Sequence, residues 1–155
     1  MTHIASAASL LYAAVQDLHA GKRDAAERLP GIAEQATGAA LRTLLQEEGA
    51  RAAAQAARLE AAGLDSAGPE NLWMAGILDD SERDGRSTQP GRLLDIALVG
   101  AIRKGVAAQI VSSETAMALA SETGDAALGA AVALNAEEEV ATDRALKTIL
   151  QRLSG

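Results

Sequence analysis

The sequence contains no cysteine and no phenylalanine, and only one tryptophan, Trp73, and one tyrosine, Tyr12. The first absence excludes disulfides, thiolate catalysis and zinc–cysteine centres. The scarcity of aromatics leaves leucine and alanine to fill the interior. Small side chains let helices approach closely, so this composition suits packed helices better than a sheet. Basic residues are in deficit: Lys and Arg number 14 against 21 Asp and Glu, for a net charge of −7 and a pI near 4.8. A chain of this charge is a poor ligand for a phosphate backbone or an anionic membrane surface, so neither nucleic acid nor membrane is an expected partner. No window approaches 18 uncharged apolar residues with flanking anchors, and no transmembrane span is expected. The apolar opening MTHIASAASLLYAAV has no basic residue ahead of it and reads as a helix, not a signal peptide. The expected protein is soluble and cytoplasmic.

What is present is helical periodicity. With 155 residues the chain forms a single domain, 1–155. Residues 4–36 carry Leu11, Val15, Leu18, Ala25, Leu29 and Ile32 at three- and four-residue spacing. Pro30 should kink or locally break this run. Thr37-Gly38 is a short stop. Residues 39–62 repeat the pattern through Leu41, Leu45, Ala52 and Leu59, and Gly63 is placed to end it as a C′ glycine. A third long pattern covers 90–122. The break Thr123-Gly124-Asp125 follows, with Asp125 suited to cap a last helix over 126–153.

The connections set the topology. The first two helices are joined by about two residues, and so are the last two, which predicts two antiparallel hairpins. The stretch 63–90 between them is long enough to carry the chain back along a helix of about 36 Å. It contains NLWMAGIL, which reads as a short helix with Pro69 in its first turn. Two antiparallel hairpins joined by one long crossover make an all-α, ferritin-like four-helix bundle. Trp73 is expected to anchor the crossover to the bundle or to a partner subunit.

Each long helix carries polar residues on its inward stripe. These are Lys22 on the first, Glu48 and Gln55 with Arg51 beside them on the second, Gln109 on the third, and Asn135, Glu139 and Thr142 on the last. In the segment AEEEVATD, spacing selects Glu139 as the inward acid, leaving Glu137 solvated and Glu138 at the edge. Lys22 lies about 15 residues before the first turn and Glu48 about 11 after it; Gln109 lies about 14 before the second turn and Glu139 about 15 after it. They can meet at mid-bundle. Any one of them could instead snorkel to water, but their common level favours a shared polar layer. A buried charge without a partner costs several kcal/mol, so Glu48 and Glu139 need cations: metal ions, or Lys22 and Arg51.

The runs DLHAGKRDAAERLPGIAEQA, LRTLLQEEGARAAAQAARLEAAG, LWMAGILDD, LLDIALVGAIRKGVAAQIVSSETAMALASETGD and AEEEVATDRAL resemble the bacterial YciE/YciF-type ferritin-like family, over residues 10–150. The most specific points are Leu29-Pro30, Arg58-Leu59-Glu60, the Met-Ala-Gly-Ile run beginning at Met74, and Glu138-Glu139 with Thr142-Asp143. The resemblance implies a commonly dimeric, stress-associated bundle with a dimetal carboxylate core. Its ligand positions are largely replaced here. The first-helix glutamate position holds Lys22; the second-helix histidine and acid positions hold Glu48 and Arg51; the third-helix glutamate positions hold Val106 and Gln109. Only Glu139 and Asp143 keep the pattern. His3, at the start of the chain, and His19 do not restore it.

The sequence therefore favours a non-catalytic homodimer with no cofactor, whose degenerate core links Lys22, Glu48, Arg51, Val106, Gln109, Glu139 and Asp143. The alternative is a reduced carboxylate site of Glu48, Glu139 and Asp143 holding iron or manganese for iron or peroxide chemistry. A small-molecule pocket beside Gly49, Gly100 and Gly105 is a third reading, against which close helix packing explains the glycines. No phosphate-cradling glycine loop, nucleophile–histidine pair or basic patch is present, and Met74 and Met117 read as core residues.

Overall fold

The computed structural model describes residues 3–154. Five helices follow in order: α1 (Ala7–Gln35), α2 (Ala39–Ala61), α3 (Leu72–Ser87), α4 (Arg92–Thr123) and α5 (Ala126–Leu153). The most extensive packing is α1 against α2 and α4 against α5; α1 also packs on α4, and α2 on α5. The crossover helix α3 lies against α4 and α1. This is the ferritin-like arrangement of two hairpins and one long connection. Among the described residues, no helix is long and apolar enough to cross a membrane.

The ends follow local chemistry. The Ser6 hydroxyl accepts from the amide of Ser9 and opens α1. The Asp125 carboxylate accepts from the amide of Leu128 and opens α5. Gly124 ends α4 at φ +74°, a left-handed conformation that glycine adopts without steric cost. Helix α2 has no side-chain cap of its own. Its first amides are held from across the bundle: Asp95 of α4 accepts from the amides of Thr37 and Gly38, each at 2.8 Å.

Two sequence expectations need correction. Helix α1 runs through Pro30 without a break; packing of the flanking turns, with Leu29, Ile32 and Ala33 all buried, outweighs the one missing backbone bond. The crossover helix is longer than NLWMAGIL and begins after Pro69. Its cap is Asn71, whose side chain accepts from the amide of Met74. Its polar half is held by Arg28 of α1, which donates to Asp79 at 2.6 Å and to Glu82 at 2.9 Å. The Asn71 amide donates to the backbone oxygen of Asp17, and the Trp73 indole to the Asp17 carboxylate at 3.0 Å, so Trp73 anchors the crossover to the bundle itself. The close approach needs Gly21, where an added Cβ would lie 2.8 Å from the Asn71 side chain.

The interior divides into two apolar clusters. One joins Leu29, Ile32, Leu41, Leu45, Leu78, Leu98 and Leu146, with their neighbours. The other joins Leu11, Val15, Leu18, Leu59, Leu128 and Val132. On each long helix, the polar residues of the inward stripe fall between the two.

Candidate functional site

Among the described residues Lys22 is the largest fully buried side chain, 1% exposed. Its amine reaches the bundle centre from α1 and donates to Gln109 Oε1 of α4 at 2.6 Å and to Gln55 Oε1 of α2 at 2.9 Å. Oε1 of Glu139, on α5, lies 3.8 Å away. A single ammonium thus touches all three other long helices.

Glu48 stands on the same level but takes different partners. Its Oε2 accepts from Arg51 Nη1 at 2.7 Å and from Thr142 Oγ1 at 2.7 Å, and Arg51 also donates to Thr142 at 2.9 Å. Arg51 is half-buried and reaches inward from the edge of α2. A second α2–α5 bridge lies one turn away. Arg58 donates to both oxygens of Glu138 and, at 2.5 Å, to Asn135 Oδ1; Gln55 Nε2 completes it with a bond to Glu138 at 3.2 Å. Two hydrogen-bonded groups share this level, one of Lys22, Gln55, Gln109, Arg58, Asn135 and Glu138 and the other of Glu48, Arg51 and Thr142, and together they span the four long helices.

Glu139 is the exception. It is fully buried, and neither of its carboxylate oxygens accepts a hydrogen bond. Burial, followed by repulsion from Glu48, pushes its pKa up to about 8, with Lys22 opposing. Burial also lowers the Lys22 amine from its ordinary value, against the attraction of Glu139 and Glu48. Burial thus acts against the charged form of both partners, and their mutual attraction opposes it.

The structure brings Lys22, Glu48, Gln109 and Glu139 together, with Arg51 at the rim. Val106 is buried beside them and lines, with Glu48, Gln109 and Met74, a cavity of about 20 Å³, room for one water-sized molecule. Glu137 is exposed and Glu138 intermediate, as spacing indicates. Asp143 does not join the cluster. Arg103 of α4 holds its two oxygens at 2.7 and 3.2 Å, on the α4 side of α5. The set Glu48, Glu139 and Asp143 is accordingly not assembled as one site. Of the histidines, His3 is exposed, and His19 Nε2 lies 2.8 Å from Glu60 Oε1, outside the layer. Gln55, Asn135 and the Arg58–Glu138 bridge complete the network. Gln55 and Asn135 were visible on the apolar stripes, but nothing in the sequence fixes their partners.

A dimetal centre needs several carboxylates and imidazoles converging on a charge of about +4. The present layer has two buried carboxylates, no imidazole, and an ammonium in direct reach of one of them. Among the described residues, no group of three or more His, Asp or Glu side chains is placed to hold a metal ion. These residues do not fit a dimetal centre.

The profile of the family described as a domain of unknown function, DUF892, matches residues 6–154, and the chain belongs to that family. No curated protein matches the chain. Two solved structures are similar. The E. coli stress protein YciF superposes with a TM-score of 0.93 at 18% identity, over 97% of this chain and 98% of that one. YcfI from Rhodopseudomonas palustris gives a TM-score of 0.85 at 23% identity, over 94% of this chain and 95% of that one. At these identities the likeness is one of fold.

Proposed function

We propose that this member of the DUF892 family is a non-catalytic ferritin-like protein. A fixed-charge layer stands at its bundle centre in place of a metal site, and the protein serves a structural or interaction role. The observation that carries this reading is the Lys22 amine, bonded to Gln55 and Gln109 and 3.8 Å from Glu139. A fixed cation there repels a divalent ion a few ångströms away and takes over its electrostatic task. Apart from Glu139, the polar side chains of the layer hydrogen-bond to one another, and among the described residues of the layer no nucleophile–base pair is directed at a substrate. The similar fold of a stress protein is consistent with a stress-associated role, and the lack of cysteine with a cytoplasmic one. The alanine-rich outer faces of several helices support self-association as a homodimer.

Elemental analysis tests the reading on full-length protein purified without a chelator or metal-affinity tag. The expected result is iron and manganese far below one equivalent per chain, with no ferroxidase or catalase turnover. One equivalent or more of either metal would overturn it. Lys22→Glu supplies the complementary arm. It removes the cation and adds a carboxylate, so manganese or iron should raise the melting temperature of the variant and leave the parent unchanged.

A further inference from the structure

The carboxylate of the layer that accepts no hydrogen bond stands beside its buried amine. Glu139 is unpartnered at both oxygens, and its Oε1 lies 3.8 Å from Lys22 Nζ. The same nitrogen lies 2.6 Å from Gln109 Oε1. A carbonyl bond adds about 1.2 Å, so Nζ is no more than about 3.8 Å from the carboxamide carbon of Gln109, near the ~3–3.5 Å of reacting atoms held for attack. An amine, an amide carbon and an uncommitted carboxyl group, all buried, are the parts that a transamidation needs.

Lys22 also donates to Gln55 Oε1 at 2.9 Å, but the two carboxamides differ in what holds their nitrogens. Gln55 Nε2 donates to Glu138 at 3.2 Å, beside the Arg58 bridge. Among the described residues, the Gln109 side chain makes no hydrogen bond besides the one it accepts from Lys22. It also lines the cavity of about 20 Å³ under α3, which has room for one molecule the size of water, and hence for ammonia. Gln109 thus has an unheld nitrogen and a space to receive it. The terminal torsion of a glutamine is soft, so its carbonyl face can turn towards Nζ.

We infer that Lys22 and Gln109 join slowly within the folded chain through an isopeptide bond, with Glu139 moving the protons and ammonia leaving. The Lys22 ammonium first gives a proton to the Glu139 carboxylate, a transfer that burial of both groups favours. The freed Nζ lone pair then attacks Cδ of Gln109, and the carbonyl pair moves onto Oε1. Glu139 passes its proton to Nε2 as the Cδ–Nε2 bond breaks and the carbonyl re-forms, and it takes the surplus proton from Nζ. The products are a neutral secondary amide, a protonated Glu139 and one ammonia, and no further reactant is consumed. The ammonium is the resting form and is no nucleophile, which makes the conversion slow; alignment in a site closed to water supplies its rate. This rests on the metal-free layer proposed above and goes beyond it. The amine that repels a divalent ion also ties α1 to α4 across 87 residues, once per chain and without turnover.

Intact-mass spectrometry of the full chain, incubated at pH 8, reads the outcome. A species lighter by about 17 Da, the mass of one ammonia, should accumulate over days. Trypsin does not cleave after an acylated lysine, so the converted chain should yield residues 1–23 joined to 105–144. Lys22→Arg should never form the lighter species, and Glu139→Gln should form it about a hundredfold more slowly, with circular dichroism showing both variants helical. An unchanged mass in metal-free parent protein overturns this inference alone. So does a gain of about 1 Da, which marks water as the group that attacks Cδ, or a lighter species that persists in Lys22→Arg. A map joining 1–23 to 52–58 places the bond on Gln55 and overturns the choice of Gln109. Stoichiometric iron or manganese in the parent overturns the reading beneath it.

Discussion

The two apolar clusters of the bundle and the polar layer between them are built on the same helices by different rules. In the clusters a side chain is specified by volume and hydropathy; Leu45, Leu98 and Leu146 are fully buried and interchangeable with neighbours of similar size at modest cost. In the layer the polar side chains, Glu139 excepted, are specified by hydrogen-bond partners. The Lys22 amine needs the two glutamine oxygens, Glu48 needs Arg51 and Thr142, and Asn135 needs Arg58. The clusters supply stability that does not depend on pH. The layer adds little net stability, since desolvation offsets attraction, but a one-turn slip of any helix would leave buried charges unpaired, so it fixes register. It is also the part of the interior that titrates.

The largest expected effect sharpens the first half of this contrast. Leu45→Ala removes a fully buried side chain and should destabilise by about 4 kcal/mol. Urea unfolding should give the same loss at pH 5 and pH 8. A loss that varied with pH would show that clusters and layer are not separable. Next comes Lys22→Met, close in volume and without charge. It strands the two glutamine oxygens that the amine holds, and should lower stability by about 3 kcal/mol at pH 7. If that variant unfolded at the same urea concentration as the parent, the layer would not depend on its cation.

The third effect is smaller and carries a sign. Glu139 binds its proton more tightly folded, near pKa 8, than at its ordinary value of 4.5. Below pH 4.5 both states are protonated and the group is neutral to stability. Between 4.5 and 8 the unfolded chain releases the proton more readily, so stability falls as pH rises, by at most about 1.4 kcal/mol per unit. Above 8 the loss is complete. Glu139→Gln should flatten this slope and be more stable than the parent at pH 8 while matching it near pH 4.5. Lys22, lowered by burial, acts in the opposite direction toward higher pH, so the comparison belongs at pH 8 and below. A parent whose stability is flat from pH 5 to 8 would place the proton elsewhere.

The sequence made some of this legible and hid the rest for definite reasons. Local signals worked: Asp125 caps α5, Gly63 and Gly124 end their helices, and the spacing of three consecutive glutamates selects Glu139 as the buried one. Contacts between distant residues were harder to read. Asp95 interrupts an apolar run in α4, and only the folded bundle shows it holding the amides before α2. The polar half of α3 buries only Ser81, and Arg28 of α1 ties it to the bundle through Asp79 and Glu82. Asp143 sits one turn from Glu139 and could have joined the layer. Thr142 faces α2, while Asp143 falls on the α4 side, where Arg103 is waiting.

That last pair supplies the smallest effect and the cleanest control for the contrast. Arg103 and Asp143 form a two-bond ion pair, with each side chain about a third exposed at 31% and 29%. Water already solvates both ends, so the coupling energy should be only about 0.5 kcal/mol in a double-mutant cycle of Arg103→Ala and Asp143→Ala. Raising the salt concentration to about 1 M shortens the screening length to about 3 Å and should abolish most of that coupling. The Lys22 layer, closed to ions, should keep its sensitivity to Lys22→Met under the same conditions. If salt erased both effects equally, Lys22 would be in contact with bulk water, and the distinction between a buried charge layer and an ordinary surface pair would not hold.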